Sequence, residues 1–207
     1  VTVRDAKGAE KRISCGTSFL ACGAWADPVA RMAGFSLPIV PRLRHVFMFH
    51  CPDGPRDCPM LIDPSGVYVR TEDPGHFLCG RSPPKDMPDP DMWEGSFDVD
   101  YGLFEEHIWP TLAERVKAFE SIKVRNAWAG LYEYNTLDQN PILGLPPHLD
   151  NLYCVTGFSG HGLQHAPAVA RAMTELFLDG HYSTIDLSRF NVERVMEQRP
   201  IREKNVV

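Results

Sequence analysis

Three things are missing from this chain of 207 residues: an excess of positive charge, a paired-cysteine motif, and an apolar run able to cross a bilayer. Lys and Arg number 21 against 27 Asp and Glu, a net charge of −6, which is the wrong sign for a polyphosphate binder and disfavours nucleic acid as a partner. The longest stretch without Asp, Glu, Lys or Arg runs from Asn151 to Ala170, but two His, a Gln and three Gly lie in it, so no transmembrane segment is expected. The six cysteines (15, 22, 51, 58, 79, 154) contain no C-x-x-C pair and mostly sit in apolar runs, which predicts buried, reduced thiols. A metal site from His50, Cys51 and Cys58, with Cys15 and Cys22 as further donors, lacks zinc-ligand spacing, and no metal is expected. The chain starts at Val1 without a basic, apolar or Arg/Ser-rich leader, so any targeting segment is expected to lie outside these residues.

What is present is a composition able to build a core: 43% hydrophobic and 23% charged residues, in a length suited to one body, or a body and a fragment. Val1–Val3, a turn at 5–8 and Ile13–Ala21 read as a hairpin. Asp27 as N-cap, Pro28 behind it and Gly34 as C-cap predict a short helix. Pro38–His50, Met60–Arg70 and His76–Arg81 read as strands of an antiparallel block, with a turn at 63–66. Ser82–Phe97, with prolines at 83, 84, 88 and 90, reads as an irregular loop, solvated or bound by a partner. Phe104, Ile108, Leu112, Val116 and Phe119 recur at helical spacing, and Pro110 is expected to break or kink that helix. Ile122–Tyr134 and Leu152–Thr156 return to strand character, and Val169, Ala172, Met173 and Leu176 line a helix that Gly180 stops. The class is α+β, mixed α and β.

The stretch with most chemistry is Asn151–Pro167, NLYCVTGFSGHGLQHAP, where a buried strand ends in a loop with Gly157, Gly160 and Gly162 and a helix begins. Glycines allow close approach of backbone to a ligand, and the free N–H groups of a helix start attract electron-rich atoms. The order G-x-x-G-x-G is not the dinucleotide fingerprint, and by spacing alone a structural turn reads equally well. His161 and His165, four apart, suit either a shared helix face for metal or proton transfer, or a loop His and an exposed His without a third ligand. Asp138, beside Gln139-Asn140-Pro141, reads as a turn former ahead of a general base.

Gly157-Phe158-Ser159-Gly160-His161-Gly162-Leu163-Gln164, with Ala21-Cys22-Gly23-Ala24-Trp25 and Asp186-Leu187-Ser188-Arg189-Phe190, resembles the flavin-dependent D-amino-acid, glycine and sarcosine oxidase superfamily over nearly the whole chain. His50-Cys51-Pro52, Gly80-Arg81-Ser82-Pro83, Trp128-Ala129-Gly130 and Tyr132 to Asn140 resemble more narrowly its mitochondrial branch that assists assembly of respiratory complex I. The resemblance implies FAD. Gly157, Phe158, Ser159, Gly160, His161, Gly162, Leu163 and Gln164 would meet the pyrimidine edge of the isoalloxazine, Gly23, Ala24 and Trp25 would border the dinucleotide, and Gly130 and Tyr132 would pass near the ring. It also implies an organisation: 1–36 as a fragment of the FAD-binding domain, 37–126 as an antiparallel substrate-type domain, 127–190 as a return segment, and 191–207 as a C-terminal tail.

Set against that family, no G-x-G-x-x-G turn for the ADP half occurs, so the chain resembles a C-terminal half. FAD is then expected to be non-covalent and shared with a partner polypeptide that carries the N-terminal FAD-binding half. Gly130 stands where sarcosine-oxidase-like members attach flavin through cysteine, and Gln164 where they hold a substrate carboxylate with lysine. Val67–Ser82 has no lysine to serve reaction with oxygen. The implied function is an assembly factor or accessory subunit of mitochondrial complex I, on the matrix side of the inner membrane. The alternative is half of an active oxidoreductase acting on C–N bonds, whose activity would need the missing half. No catalytic residue is assigned.

Overall fold

The computed structural model describes residues 1–83 and 95–202. The chain divides into two compact units, Val1–Val40 with Glu133–Val207, and Pro41–Tyr132. The Pro-rich loop expected over 82–97 falls mostly outside the described residues. The class is mixed α and β, as the sequence predicts.

In the first unit, β1 (Thr2–Arg4) and β2 (Glu10–Arg12) form an exposed antiparallel hairpin with Thr2 opposite Arg12. Of the predicted hairpin partner, Ile13–Ala21, only Ile13 stays in this hairpin, bonded to Val1 through both its N–H and its carbonyl, and the rest is displaced from it. Its ordered part, β3 (Ser18–Leu20), lies parallel to β10 (Leu152–Thr156), with Tyr153 opposite Phe19 and Cys154 opposite Leu20. The apolar content of β3 decides this, because burial of Leu20 outweighs pairing with the polar first strand. On its other side β10 pairs antiparallel with β9 (Ile142–Gly144). Period-two alternation sends Leu20, Ile142 and Cys154 to one core, with Ala26, Ala30, Phe35, Leu37, Ile39, Val192 and Val195, while Leu143 and Tyr153 enter another with Phe158, Val169 and Met173.

Three helices serve these cores. α1 (Ala26–Met32) follows a 3-10 turn over Gly23–Trp25, and Trp25, not Asp27, is its N-cap. The Asp27 carboxylate instead receives the backbone N–H of Leu37 at 2.9 Å and pairs with Arg31. α4 (Gly162–Asp179) ends on Gly180, whose left-handed φ of 76° suits glycine. Residues 191–207, expected as a tail, hold α5 (Val192–Met196), with Val192 and Val195 in the core.

The second unit has a five-stranded sheet in the order β5-β6-β7-β4-β8, formed by β4 (Ile39–His50), β5 (Leu61–Ile62), β6 (Val67–Asp73), β7 (His76–Arg81) and β8 (Lys123–Asn135), of which Ile39, Val40 and the last three residues of β8, Glu133 to Asn135, belong to the first unit. The pairs β5–β6, β6–β7 and β7–β4 are antiparallel. Phe47, Phe49, Val67, Val69, Phe77 and Cys79 point to one face and pack on Phe104, Ile108, Leu112 and Phe119. Phe119 meets Phe49 and Phe77 edge-on, at 5.2 and 4.9 Å, geometry that adds about 0.5–1.5 kcal/mol per pair beyond burial.

Pro110 does not break the helix that supplies Phe104, Ile108 and Leu112, although that helix ends at Arg115 and Phe119, expected on the same stripe, sits in a separate 3-10 turn over Lys117–Glu120. α2 (Tyr101–Leu103), a π-helical turn (Phe104–Ile108) and α3 (Trp109–Arg115) run on without interruption. Proline lacks an N–H and crowds the carbonyl four residues back. The wider turn before it relieves both problems, since the Trp109 N–H already reaches back to the carbonyl of Phe104.

Candidate functional site

The parallel register of β3 and β10 brings two turns to the same end of the sheet, the carboxyl end, where open α/β sheets bind their ligands. After β3 comes Gly23-Ala24-Trp25, with Ala24 buried and Trp25 half exposed. After β10 comes the loop from Gly157 to His161, which delivers the chain into α4. The structure thus brings Gly23, Ala24 and Trp25 to the same sheet end as Gly157, Phe158, Ser159, Gly160, His161, Gly162, Leu163 and Gln164. Gly130 and Tyr132 belong to the other unit, on β8, where Arg44 donates from Nη2 to the Tyr132 hydroxyl at 3.2 Å and lies 5.1 Å over its ring.

The loop is wound through three left-handed residues: Gly157 at φ 80°, Ser159 at φ 50° and Gly160 at φ 92°. Serine pays for that conformation, and the structure offsets it with bonds from the end of β8. The Ser159 N–H donates to the Glu133 carbonyl at 3.1 Å, and the Asn135 N–H donates to the Ser159 hydroxyl at 3.0 Å. The Glu133 carboxylate accepts the Phe158 N–H at 3.2 Å and the hydroxyl of the fully buried Thr156. Gly157 is confined as well: a Cβ there would stand 3.2 Å from Ile142 and from Ile39. Gly157→Ala is therefore expected to cost about 1–3 kcal/mol in left-handed strain alone, read as a lowered Tm.

The loop ends on His161, the N-cap of α4, and no side chain caps the helix. The first-turn N–H groups of a helix have no acceptor within it, and the partial positive charge they share is here left to a ligand or to solvent. Leu163 and Gln164 are exposed beside it. A cavity of about 360 Å³ runs along the next face of α4, walled in part by Phe158, His161, Gln164, His165, Leu187 and Phe190. The His161 and His165 rings stack 6.1 Å apart, but no three of the His, Cys, Asp and Glu residues come together as metal ligands among the described residues.

The far wall of the cavity is held from the segment expected as a tail. Arg194, about 1% exposed, pairs with Asp138 and donates from Nη2 to the carbonyls of Asn140 at 3.3 Å and Pro141 at 2.8 Å. Asp138 also accepts from Asn135 Nδ2 at 3.0 Å, from the Asn140 N–H at 3.1 Å and from the Ile201 N–H at 2.7 Å. It is the turn former the sequence suggests, and the anchor of a buried ion pair besides. Burial pulls the Arg194 guanidinium below its ordinary pKa, and the adjacent Asp138 charge pulls it back. Glu133, Asn135, Thr156 and Arg194 all escape a reading by motif. Only the polar run Asn135-Thr136-Leu137-Asp138-Gln139-Asn140 signals that an ordered turn stands there.

A second clasp fixes the route from α4 to Leu187. Glu175 accepts from the Thr184 hydroxyl at 2.7 Å, from the N–H groups of Ser183 and Thr184, and from Arg171. These bonds, that of Thr184 foremost, lower its pKa from 4.5 to about 2. A depressed carboxyl stabilises the fold above its unfolded pKa, and that contribution is lost as the pH falls through the folded one. Acid unfolding of Glu175→Gln should therefore lack the component that the parent loses between pH 4.5 and about 2.

The cysteines behave as buried thiols in part. Cys51, Cys79 and Cys154 are buried and none is disulfide-bonded, whereas Cys15 is exposed, against expectation, because it lies ahead of β3 rather than in a strand. Burial pushes Cys79 and Cys154 up to about 12, which makes them inert.

The family model described as FAD dependent oxidoreductase matches residues 1–176. The FAD-dependent oxidoreductase domain-containing protein 1 of Xenopus laevis is 45% identical over 100% of this chain and 44% of its own length, and the mitochondrial sarcosine dehydrogenase of Mus musculus is 25% identical over 88% and 21%. Among solved structures, L-proline dehydrogenase from P. horikoshii superposes with a TM-score of 0.79 at 24% identity, over 97% of this chain and 51% of that one. Glycine oxidase from Geobacillus kaustophilus gives 0.72 at 18%, over 92% and 48%. The chain thus spans less than half the length of the curated relatives it matches. Among the described residues no helix is long and apolar enough to cross a membrane.

Proposed function

The chain belongs to the FAD dependent oxidoreductase family, and from that premise we propose that it covers the redox-active ring of a non-covalently held FAD, whose adenylate end is gripped by a nucleotide-binding region these residues do not contain. The residues fit one end of the cofactor only. The uncapped start of α4 and the left-handed loop before it suit an electron-rich ring edge, while no G-x-G-x-x-G turn is present for the diphosphate. When bound, FAD supplies the acceptor for a hydride from a substrate carbon. The protein's part is electrostatic. The first-turn N–H groups of α4 favour negative charge at the ring edge, by about 0.3–1 kcal/mol at exposed sites and more where water is excluded. Glu133 and Asn135 hold the loop in shape, and Gly23, Ala24 and Trp25 flank it.

The observation that carries this reading is the uncapped 18-residue helix entered through a strained glycine loop at the carboxyl end of a parallel strand pair. The test is flavin retention. Together with the nucleotide-binding region, on one polypeptide or as a partner chain, the protein is expected to keep stoichiometric FAD through gel filtration, and alone to keep none. Stoichiometric flavin on the chain alone overturns the shared site.

For the use of that flavin we propose an accessory role in assembly of mitochondrial complex I, on the matrix side, ahead of turnover of an amine. Gln164 favours it, since a neutral amide beside the loop is a weak partner for a substrate carboxylate. Anaerobic addition of a broad panel of amines to the flavin-loaded protein should leave the oxidised spectrum unchanged. Bleaching by any of them favours the oxidoreductase acting on C–N bonds. Deletion of 83–91, which lies almost wholly outside the described residues, should loosen co-purification with assembly intermediates.

A further inference from the structure

We propose that the cavity on the flank of α4 takes a quinone, as the two-electron acceptor for the flavin beside it. The role as acceptor rests on the reading that the loop before α4 covers a flavin. His161, His165 and Ala168 follow one another by four and three residues, so they share one face of the helix. The cavity keeps to that face as far as Val169, about 12 Å along the axis at 1.5 Å per residue. The N–H groups offered to the flavin point out along the axis instead. The cavity is therefore a second compartment, and it meets the first at Phe158, His161 and Gln164.

Its walls select against an ionic ligand. Asp138 is the only Asp, Glu, Lys or Arg among the lining residues, and both its carboxylate oxygens are taken, one by Asn135 and Asn140, the other by Arg194 and Ile201. A charged guest would leave water for a site with no counter-charge to offer. The floor is apolar, made by Pro141, Leu143, Val169 and Leu187 with the rings of Phe158 and Phe190. A volume of about 360 Å³ lies near the small end of ligand sites and suits one or two fused rings.

The rim decides between uncharged rings. It carries two amides, Gln139 and Gln164, and two imidazoles, His161 and His165, and none of these four side chains makes a hydrogen bond among the described residues. Gln139 stands there at a cost. Its φ of 60° is left-handed, a conformation that glycine adopts freely and glutamine does not, and its N–H is tied to the Asn135 carbonyl at 3.0 Å. An amide or an imidazole can donate or accept, whereas Lys and Arg only donate and a carboxylate only accepts. A rim of groups that can exchange roles matches a ligand that exchanges them too. Reduction turns the two C=O acceptors of a quinone into two O–H donors, and the same four side chains can serve both forms. The balance is FADH2 + quinone → FAD + hydroquinone: two electrons and two protons leave the reduced flavin, the two C=O groups become C–O–H, and nothing else is consumed.

The probe is duroquinone, whose four methyl groups block addition of thiols such as that of the exposed Cys15. Without flavin, the 207-residue chain should bind both duroquinone and, anaerobically, its hydroquinone, with dissociation constants within about tenfold of each other, and both should shift the ring signals of His161 and His165 in NMR spectra. Ala168→Phe, which fills the cavity, should weaken binding about tenfold or more, and Gln139→Gly, which keeps the left-handed turn and removes the amide, about threefold to tenfold. Ala170→Phe, on the exposed side of α4, should leave binding unchanged. The ring signals of the parent chain need no variant and so survive misfolding of any of them. In the flavin-loaded protein completed with the nucleotide-binding region, duroquinone should return photoreduced flavin to its oxidised spectrum at a rate that saturates, and Ala168→Phe should slow this about tenfold with flavin still retained. No binding to the parent chain, binding of one redox form alone, or binding indifferent to Ala168→Phe overturns the site, while retained flavin leaves the shared flavin site standing. Reoxidation indifferent to Ala168→Phe overturns the role as acceptor. Duroquinone bound by a completed protein that retains no flavin sinks the flavin reading, and the electron transfer with it, but upholds the quinone site.

Discussion

Arg194→Ala is expected to lower stability by about 3–5 kcal/mol, the usual cost of removing one partner from a buried ion pair. Both side chains of the Arg194–Asp138 pair are almost fully enclosed, at 2% and 3% exposure, so loss of the guanidinium leaves a carboxylate that water cannot reach. It also leaves the carbonyls of Asn140 and Pro141 without their donor. Arg194→Lys should recover little, because one ammonium cannot span a carboxylate and two carbonyls as the planar fork does. The double variant Asp138→Leu with Arg194→Met removes the stranded charge, yet Asn135, Asn140 and Ile201 then lose their acceptor, so it should recover only part. Urea unfolding of the three variants checks the order. An Arg194→Ala protein within 1 kcal/mol of the parent would contradict it.

Glu133→Ala should have its larger effect on the cofactor. Two donors, the Thr156 hydroxyl and the Phe158 N–H, are satisfied by this one carboxylate, and hydrogen bonds to a charged group contribute about 1.5–3 kcal/mol. Without it the loop keeps the backbone bond from Ser159 to the Glu133 carbonyl but loses the acceptor that fixes Phe158 beside it, so the path into α4 relaxes. In the completed flavoprotein, FAD affinity is expected to fall about 10–100-fold, by analogy with loss of an outer-shell residue that orients ligands. Glu133→Gln keeps the shape and one acceptor and should lie between. Flavin titration by fluorescence quenching reads the ratio, and unaltered affinity in Glu133→Ala would show that the loop holds its shape alone.

Much of the scaffold was legible because burial imposes a period. Leu152–Thr156 matches the predicted strand, Val169, Ala172 and Met173 face the core of α4, and Gly180 ends it. The glycine loop stood out because its composition is local. What escaped was decided at a distance. Glu133 meets Thr156 from 23 residues away and Arg194 meets Asp138 from 56, and no periodicity records such partners. Asp27 fits the N-cap rule, but the Leu37 N–H ten residues on competes for its carboxylate and prevails. The hairpin failed likewise, since the choice of β10 as partner for Ser18–Leu20 depends on a strand more than a hundred residues later.

The π turn ahead of Pro110 has a consequence for how this chain can change length. In ordinary α winding a four-residue step overshoots a full revolution by roughly 40°, so Phe104, Ile108 and Leu112 would drift around the cylinder. The wider turn cancels much of that drift and keeps all three inward. Excising one of the exposed Glu105 or Glu106 would return the segment to α winding with Phe104 and Ile108 three apart, still on one side of the cylinder. This is thus a spot where a one-residue gap can open between homologues with the hydrophobic stripe intact, whereas the same gap between Trp109 and Leu112 would swing everything before it away from the sheet.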